Sequence, residues 1–200
     1  PLELALPIIK MLAVNAPCIV SSGAQIIDPK TKKTLYEKPM LLEDVSQIGM
    51  YVLKNNYKML YSDGIVSPFK TLPKKVFDLL IIDDLTDTEA EKIITDLSQI
   101  STIALQKIVS WNPGKVHITI SHASATKQHG IFEVAKQLGI ETHEIIGIGD
   151  GPNDFPLLMA CGLKVAMGNA VPDLKAIADY VAPTVDEDGV AHVIEKFVLQ

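Results

Sequence analysis

The chain has 200 residues, 48% of them hydrophobic, and 24 acidic against 18 basic side chains give it a net charge of −6. That is enough apolar material for one large or two small packed domains, which argues against disorder, and the acidic balance without a basic stripe and interleaved aromatics argues against a nucleic-acid ligand. No apolar run reaches the roughly 18 residues of a membrane span, and the only cysteines, Cys18 and Cys161, form no C-x-x-C pair, so free thiols in a reducing cytosol are expected rather than a disulfide scaffold or a zinc site.

The opening PLELALPIIKMLAVNAPCIV lacks a basic start and contains Pro7 and Pro17, which argues against a signal peptide. Leu4 to Leu12 reads as the tail of a helix, and Pro17 to Ser21 as a short strand ending in the turn Ser22-Gly23-Ala24. AQIID (24–28) and TLYEKP (34–39) flank PKTKK as a hairpin. Val45, Ile48, Val52 and Leu53 stand at helical spacing within 42–55. A strand is expected in NNYKMLYSDG, and a buried one in VFDLLII (76–82). Thr86 and Glu89 form a capping box for a helix over 88–100, with Ile93, Ile94 and Leu97 facing inward. Strands over 103–109 and 116–120 join through Asn112-Pro113-Gly114.

After residue 122 the rhythm changes. A helix over 127–138 stops at Gly139. A strand over 144–148 ends in Gly149-Asp150, and a helix from about Asn153 runs to Ala160. A strand over 164–166 leads through Gly168-Asn169-Ala170 to a helix over 172–178. A strand at 180–181 and a helix over 190–198 complete the chain. Strands alternating with helices of this length imply βαβ units and a parallel sheet.

GIGDGPNDFPLLMACG (147–162) carries the densest chemistry. In an open parallel sheet, ligands bind beyond the carboxyl ends of the strands, where Asp150 falls. Asp154, on the following turn, folds back toward the same crevice. Two carboxylates there suit Mg²⁺, which takes one or two carboxylates plus waters and phosphate oxygens, and the helix N-terminus favours an anion. An isolated D-x-x-x-D is otherwise explained by turn and helix-start preferences alone.

The longer string GDGPNDFPLLMACGLKVAMGNA resembles motif IV of the haloacid dehalogenase (HAD) superfamily. PCIVSSGAQIIDPKTKKTLYEKPM, SATKQHGIFEVAKQLGI and DEDGVAHVIEKF are similar to the cap entry, the return to the core and the C-terminal end of its Cof-type (subfamily IIB) phosphatases. Ser22-Gly23-Ala24 stands where many members have Asn-Gly-Ala, and Gln128 follows Lys127 where Gly is usual. The resemblance covers essentially the whole chain.

It implies an α/β fold: a HAD-like Rossmannoid three-layer core over 1–23 and 122–200, incomplete at the N-terminus, with an α/β cap inserted over 24–121 that closes over the crevice. It also implies Mg²⁺-dependent hydrolysis of a small phosphomonoester, a sugar phosphate or similar metabolite, through an aspartyl-phosphate. Carried over by position, Asp150 is the direct metal ligand and Asp154 the second metal-site acid, binding directly or through water. Asn153 contacts the phosphate or the nucleophile. Lys127 is the catalytic lysine that stabilises nucleophile and phosphoryl oxygens, and Asn169 holds its loop beside the site.

The family's nucleophile motif, D-x-D-G-T, does not occur in the 200 residues. Asp63-Gly64 and Asp83-Asp84 are partial lookalikes within the cap-like region, read here as a turn and a strand-end acidic cluster. A Ser/Thr of the T-G-R type is also missing, and Ser21 and Ser22 sit too close to the cap entry to replace it. The simplest expectation is a part of a longer gene product, or a fragment propped by a homo-oligomer partner, without phosphatase activity of its own. The alternatives are a non-catalytic or regulatory protein that keeps the fold and binds metal or a phosphometabolite, and a Rossmann-type nucleotide binder, which lacks its G-x-G-x-x-G. His117, His122, His129 and His143 show no H-E-x-x-H or H-x-H spacing for zinc, though His122 and His129 fall near Lys127. A buried structural role is expected for Cys161, and cap packing for Trp111.

Overall fold

A computed structural model describes residues 2–62, 66–68, 71–72, 76–110 and 112–199. The readings placed on Pro1, on Asp63-Gly64 and on Trp111 lie outside the described residues. The chain divides into two compact units, residues 1–126 and 127–200.

The first unit opens with helix α1 (Leu2–Met11). Strands β1 (Cys18–Val20), β2 (Gln25–Ile27) and β3 (Thr34–Glu37) form an antiparallel sheet in that order. Between β1 and β2 the backbone turns through Ser21, Ser22 and Gly23 at φ 52°, 58° and 106°. The turn begins one residue earlier than expected, and only its glycine adopts that region freely. The β2–β3 hairpin is closed by Asp28, whose Oδ1 accepts the N–H groups of Lys30 (2.8 Å) and Thr31 (2.9 Å). That is the local bonding for which Asp is selected in turns.

Helix α2 (Leu42–Asn55) carries Glu43 and Asp44 in its first turn, where the helix dipole favours them, and ends on Asn56 in the left-handed region. Strands β4 (Lys58–Ser62), β5 (Val66–Pro68) and β6 (Leu79–Leu85), helix α3 (Asp87–Leu97), and strands β7 (Ile103–Val109) and β8 (Val116–His122) follow. These five strands make one sheet in the order β5-β4-β6-β8-β7, every pair antiparallel. Met59, Leu80, Ile82, Ile118 and Ile120 pack with Val45, Ile48 and Val52 of α2 and Ala90, Ile93 and Leu97 of α3. Burial of each large aliphatic side chain here contributes about 2 kcal/mol. The expected capping box is present: Thr86 accepts from the Glu89 N–H while Glu89 accepts from the Thr86 N–H.

The strand expected over 76–82 runs three residues later, as Leu79–Leu85. The Phe77 carbonyl is committed to the Met40 N–H at 2.9 Å, outside the ladder. At the other end Lys58 pairs with Asp83 at 2.8 Å, which draws the acidic pair into the strand.

The second unit holds α4 (Lys127–Leu138), β9 (Ile146–Gly149), α5 (Phe155–Ala160), β10 (Leu163–Ala166), α6 (Pro172–Ile177), β11 (Tyr180–Val181) and α7 (Gly189–Phe197). The strands form the parallel sheet expected from the alternation, in the order β11-β10-β9. Leu158, Val165, Ala166, Leu174 and Val193 make its core. Strand β9 starts two residues later than expected, because Thr142–Glu144 form a 3-10 turn closed by the Glu141 N–H on Glu144 Oε2 at 2.8 Å. The helix expected from Asn153 divides: Pro152–Asp154 is a 3-10 turn and the α-helix begins at Phe155. Asp154 therefore sits at the junction rather than on the first helical turn. Among the described residues no helix is long and apolar enough to cross a membrane.

Candidate metal and phosphate site

The stretch from Gly149 to Asp154 leaves the carboxyl end of β9 and doubles back at once. Asp154 Oδ2 accepts the N–H groups of Asp150 (3.0 Å) and Gly151 (3.1 Å), so its carboxylate closes the turn that precedes it. Its other oxygen, Oδ1, is paired with the Lys127 ammonium. Asp154 is 6% exposed. Burial pushes its carboxyl up, but the Lys127 hydrogen bond and charge and the two N–H groups outweigh that effect and hold it below the ordinary aspartate value.

Lys127 is the first residue of α4, and its half-buried side chain reaches 27 residues along the sequence to Asp154. A surface lysine would extend into water instead. Both oxygens of Asp154 are engaged, so its charge is held in place.

Asp150 is the exposed member of the pair. Its Oδ2 accepts from Asn169 Nδ2 at 3.2 Å, and its carbonyl accepts the Val171 N–H at 3.0 Å. Asn169 Oδ1 in turn accepts the Val185 N–H at 3.1 Å. Asn153 lies in the middle of the turn, its Oδ1 packed over Gly151. The structure thus brings Lys127 to Asp154 and Asn169 to Asp150, with the two aspartates joined through the Asp150 N–H.

Gly149 makes this fold-back sterically possible. A Cβ there would lie 2.4 Å from Asp154 Cβ and 2.8 Å from its Cγ. Gly149→Ala is expected to cost about 2 kcal/mol or more, since neither backbone nor carboxylate can yield without losing the Lys127 pair. Urea unfolding measures it, and a midpoint equal to the parent's would contradict the argument. Beneath β9, Cys161 is buried against Gly147, 2.9 Å from where its Cβ would stand, and burial pushes the thiol up to about 11. That is a packing thiol, not a reactive one.

Sequence reasoning passes over two supports of Asp150. Lys175 of α6 donates to the Gly168 carbonyl at 2.6 Å. Thr184 and Glu187 close a capping box around the turn that receives Asn169. The second was readable as T-x-x-E; the first has no local signature.

Among the described residues no three His, Cys, Asp or Glu side chains converge on one point. The donors fit a hard cation that takes few protein ligands. Asp150 offers an exposed, oriented carboxylate, and Asp154 a buried anion kept ionised beside it. Mg²⁺ is held in this way, completing its shell with water and phosphate oxygens.

The site thus joins an acidic turn at the carboxyl end of β9 to a lysine at the start of the preceding helix, α4, in a unit built on a parallel α/β sheet. The chain belongs to the haloacid dehalogenase-like hydrolase family, whose profile matches residues 1–194. YkrA of Bacillus subtilis (strain 168) is 30% identical over 171 residues, 84% of this chain and 57% of that protein. The chain thus spans little more than half of that relative's length. A 5-amino-6-(5-phospho-D-ribitylamino)uracil phosphatase, YcsE of the same organism, is 28% identical over 196 residues, 94% of this chain and 75% of YcsE. Among solved structures, a haloacid dehalogenase-like hydrolase from B. subtilis superposes with a TM-score of 0.84 at 20% identity, over 97% of this chain and 84% of that one. The HAD subclass IIB sugar phosphatase BT4131 does so with 0.77 at 22% identity, over 96% and 79%. These superpositions establish the α/β fold.

Proposed function

We propose that this chain carries the metal-holding and lysine portion of a Mg²⁺-dependent phosphatase acting on a small phosphomonoester, a sugar phosphate or similar metabolite. The observation that carries the reading is the division of labour between the two aspartates. Asp154 is buried, ionised and hydrogen-bonded at both oxygens, so it reaches a metal through water and sets the turn. Asp150 is exposed and aimed, so it is the direct ligand. When bound, the metal supplies positive charge to the transferring phosphoryl group. Lys127 supplies a second positive charge and keeps Asp154 ionised, while Asn153 and Asn169 border the place where phosphate oxygens would lie.

In this reading residues 1–23 and 122–200 belong to the phosphoryl-transfer core, and 24–121 form the cap that selects the leaving group. The attacking aspartate is not among the 200 residues, because no D-x-D-G-T is present. The chain alone is therefore inactive.

A chimera carrying the segment of YkrA that precedes its matched region, joined ahead of Pro1, tests this. The chimera is expected to hydrolyse p-nitrophenyl phosphate with Mg²⁺, and the 200-residue chain and the chimera's Asp150→Asn variant are not. Clear turnover by the chain alone, or a chimera indifferent to Mg²⁺ and to Asp150, would falsify the proposal.

A further inference from the structure

Lys175 has a side chain that a solvated lysine would not have. It lies on the short helix α6, half-buried, and folds back seven residues to place Nζ 2.6 Å from the Gly168 carbonyl. Ordering a long flexible side chain is entropically unfavourable, so the contact has to hold something that would otherwise move. The group held is the carbonyl immediately before Asn169.

The turn that presents Asn169 is confined on every side. A Cβ on Gly168 would stand 2.8 Å from the Thr184 nitrogen and 3.0 Å from the Ala182 carbonyl, so the chain passes tightly against the exit of β11. The Gly168 N–H donates to the Pro183 carbonyl at 3.2 Å, and the Ala170 N–H closes the turn on Met167 at 2.9 Å. On leaving the turn, Val171 donates to the carbonyl of Asp150 itself. Within that frame the Asn169 amide has one orientation. Its oxygen faces the Val185 N–H, so its NH₂ faces Asp150 Oδ2.

We infer that Lys175 is a positioning residue: by holding the Gly168 carbonyl it fixes the turn from which Asn169 aims the Asp150 carboxylate at the metal position. The inference rests on the metal reading above. A charge-assisted hydrogen bond of this length is among the stronger local restraints available to a loop. Partners that orient a ligating carboxylate change metal affinity without touching the metal. Lys175 acts one step further out than Asn169, so its effect is smaller and runs through the same path.

The test is a Mn²⁺ titration of the purified 200-residue chain followed by electron paramagnetic resonance. Side-chain amide exchange of Asn169 in the metal-free protein is measured by NMR alongside it. Asp150→Asn is expected to abolish the specific site, Asn169→Ala to weaken it about tenfold or more, and Lys175→Met to weaken it roughly three- to tenfold. Lys175→Arg, which keeps the charge and a donor, is expected to recover most of the affinity. The double variant Lys175→Met/Asn169→Ala is expected to bind no worse than Asn169→Ala, because the two act in series. In the metal-free protein Lys175→Met is expected to speed exchange of the Asn169 NH₂.

If Lys175→Met binds like the parent while Asp150→Asn does not, the positioning role is overturned and the metal reading stands. Losses that multiply in the double variant also overturn it. So does unchanged Asn169 exchange, whatever the metal does, and this readout decides the matter even where a variant loses overall stability. Binding by Asp150→Asn equal to the parent's, or no specific binding by the parent, overturns the metal reading itself.

Discussion

Lys127→Met is expected to destabilise the chain by about 3 kcal/mol at pH 7, the cost of leaving a buried carboxylate without its counter-ion. Methionine keeps the length and apolar stem of lysine, so the loss is mainly of charge and hydrogen bond. Asp154 is 6% exposed and its partner's side chain only 28% exposed, so solvent screens the pair weakly. The two N–H bonds to Oδ2 remain, and they keep the cost from being larger.

The pH dependence separates this from simple loss of packing. In the parent, the Asp154 pKa lies below its unfolded value. Its contribution is therefore fully present above about pH 4, the unfolded aspartate value, and is lost as pH falls through the lower folded value. Without Lys127 the burial effect is opposed only by the two N–H groups, and the folded pKa rises. The acid limb of the stability curve then shifts upward in pH. Asp154→Asn in the Lys127→Met background is expected to recover about 1–2 kcal/mol, giving a coupling that a double-mutant cycle reads directly. Equal urea midpoints for Lys127→Met and the parent at pH 7 would mean that the pair is screened and contributes nothing.

The acidic turn was legible in the sequence for a physical reason. Asp150, Asn153 and Asp154 lie within one turn, and a turn's bonding is local. The parallel pairing of β9, β10 and β11 likewise follows from alternation of strands and helices. Lys127 was placed at the site by the resemblance, because a helix-start lysine by itself reads as solvated, and its pairing with Asp154, 27 residues on, is seen only in the structure. What stayed hidden depends on three-dimensional closure. The requirement for glycine at 149 comes from the Asp154 side chain folding over it, which no local pattern shows. Lys175 has no local signature, and only the fold brings its ammonium onto the Gly168 carbonyl. The onset of β6 was misplaced because hydropathy could not show that the Phe77 carbonyl is used by Met40 rather than by a neighbouring strand. The same misplacement concealed Asp78, which lies inside the apolar run VFDLLII.

Asp78→Asn is expected to stabilise the chain above neutral pH. Asp78 is 6% exposed at the entry to β6, and its Oδ1 is buried without a hydrogen bond among the described residues. Burial, then the charge and hydrogen bond of Glu37 on β3, push its carboxyl up to about 7. The folded state therefore holds a proton that the unfolded chain releases near pH 4, and stability falls as pH rises between those values. Above pH 7 the folded chain must bury a charge beside Glu37, or loosen. Asparagine keeps the shape, remains neutral and offers an N–H to Glu37. The variant is expected to gain about 3 kcal/mol over the parent at pH 8 and little at pH 5. The consequence extends along a chain of side chains. Gln25 donates to Glu37 at 3.3 Å, and Ser21 donates to Gln25 at 3.4 Å, so the carboxyl pair is linked to the left-handed turn after β1. Backbone exchange from Ser21 to Gln25, corrected for its intrinsic pH dependence, is expected to accelerate above pH 7 in the parent and to stay flat in Asp78→Asn. Parallel stability curves for the two proteins from pH 5 to pH 8 would show instead that Asp78 ionises in the folded chain without cost.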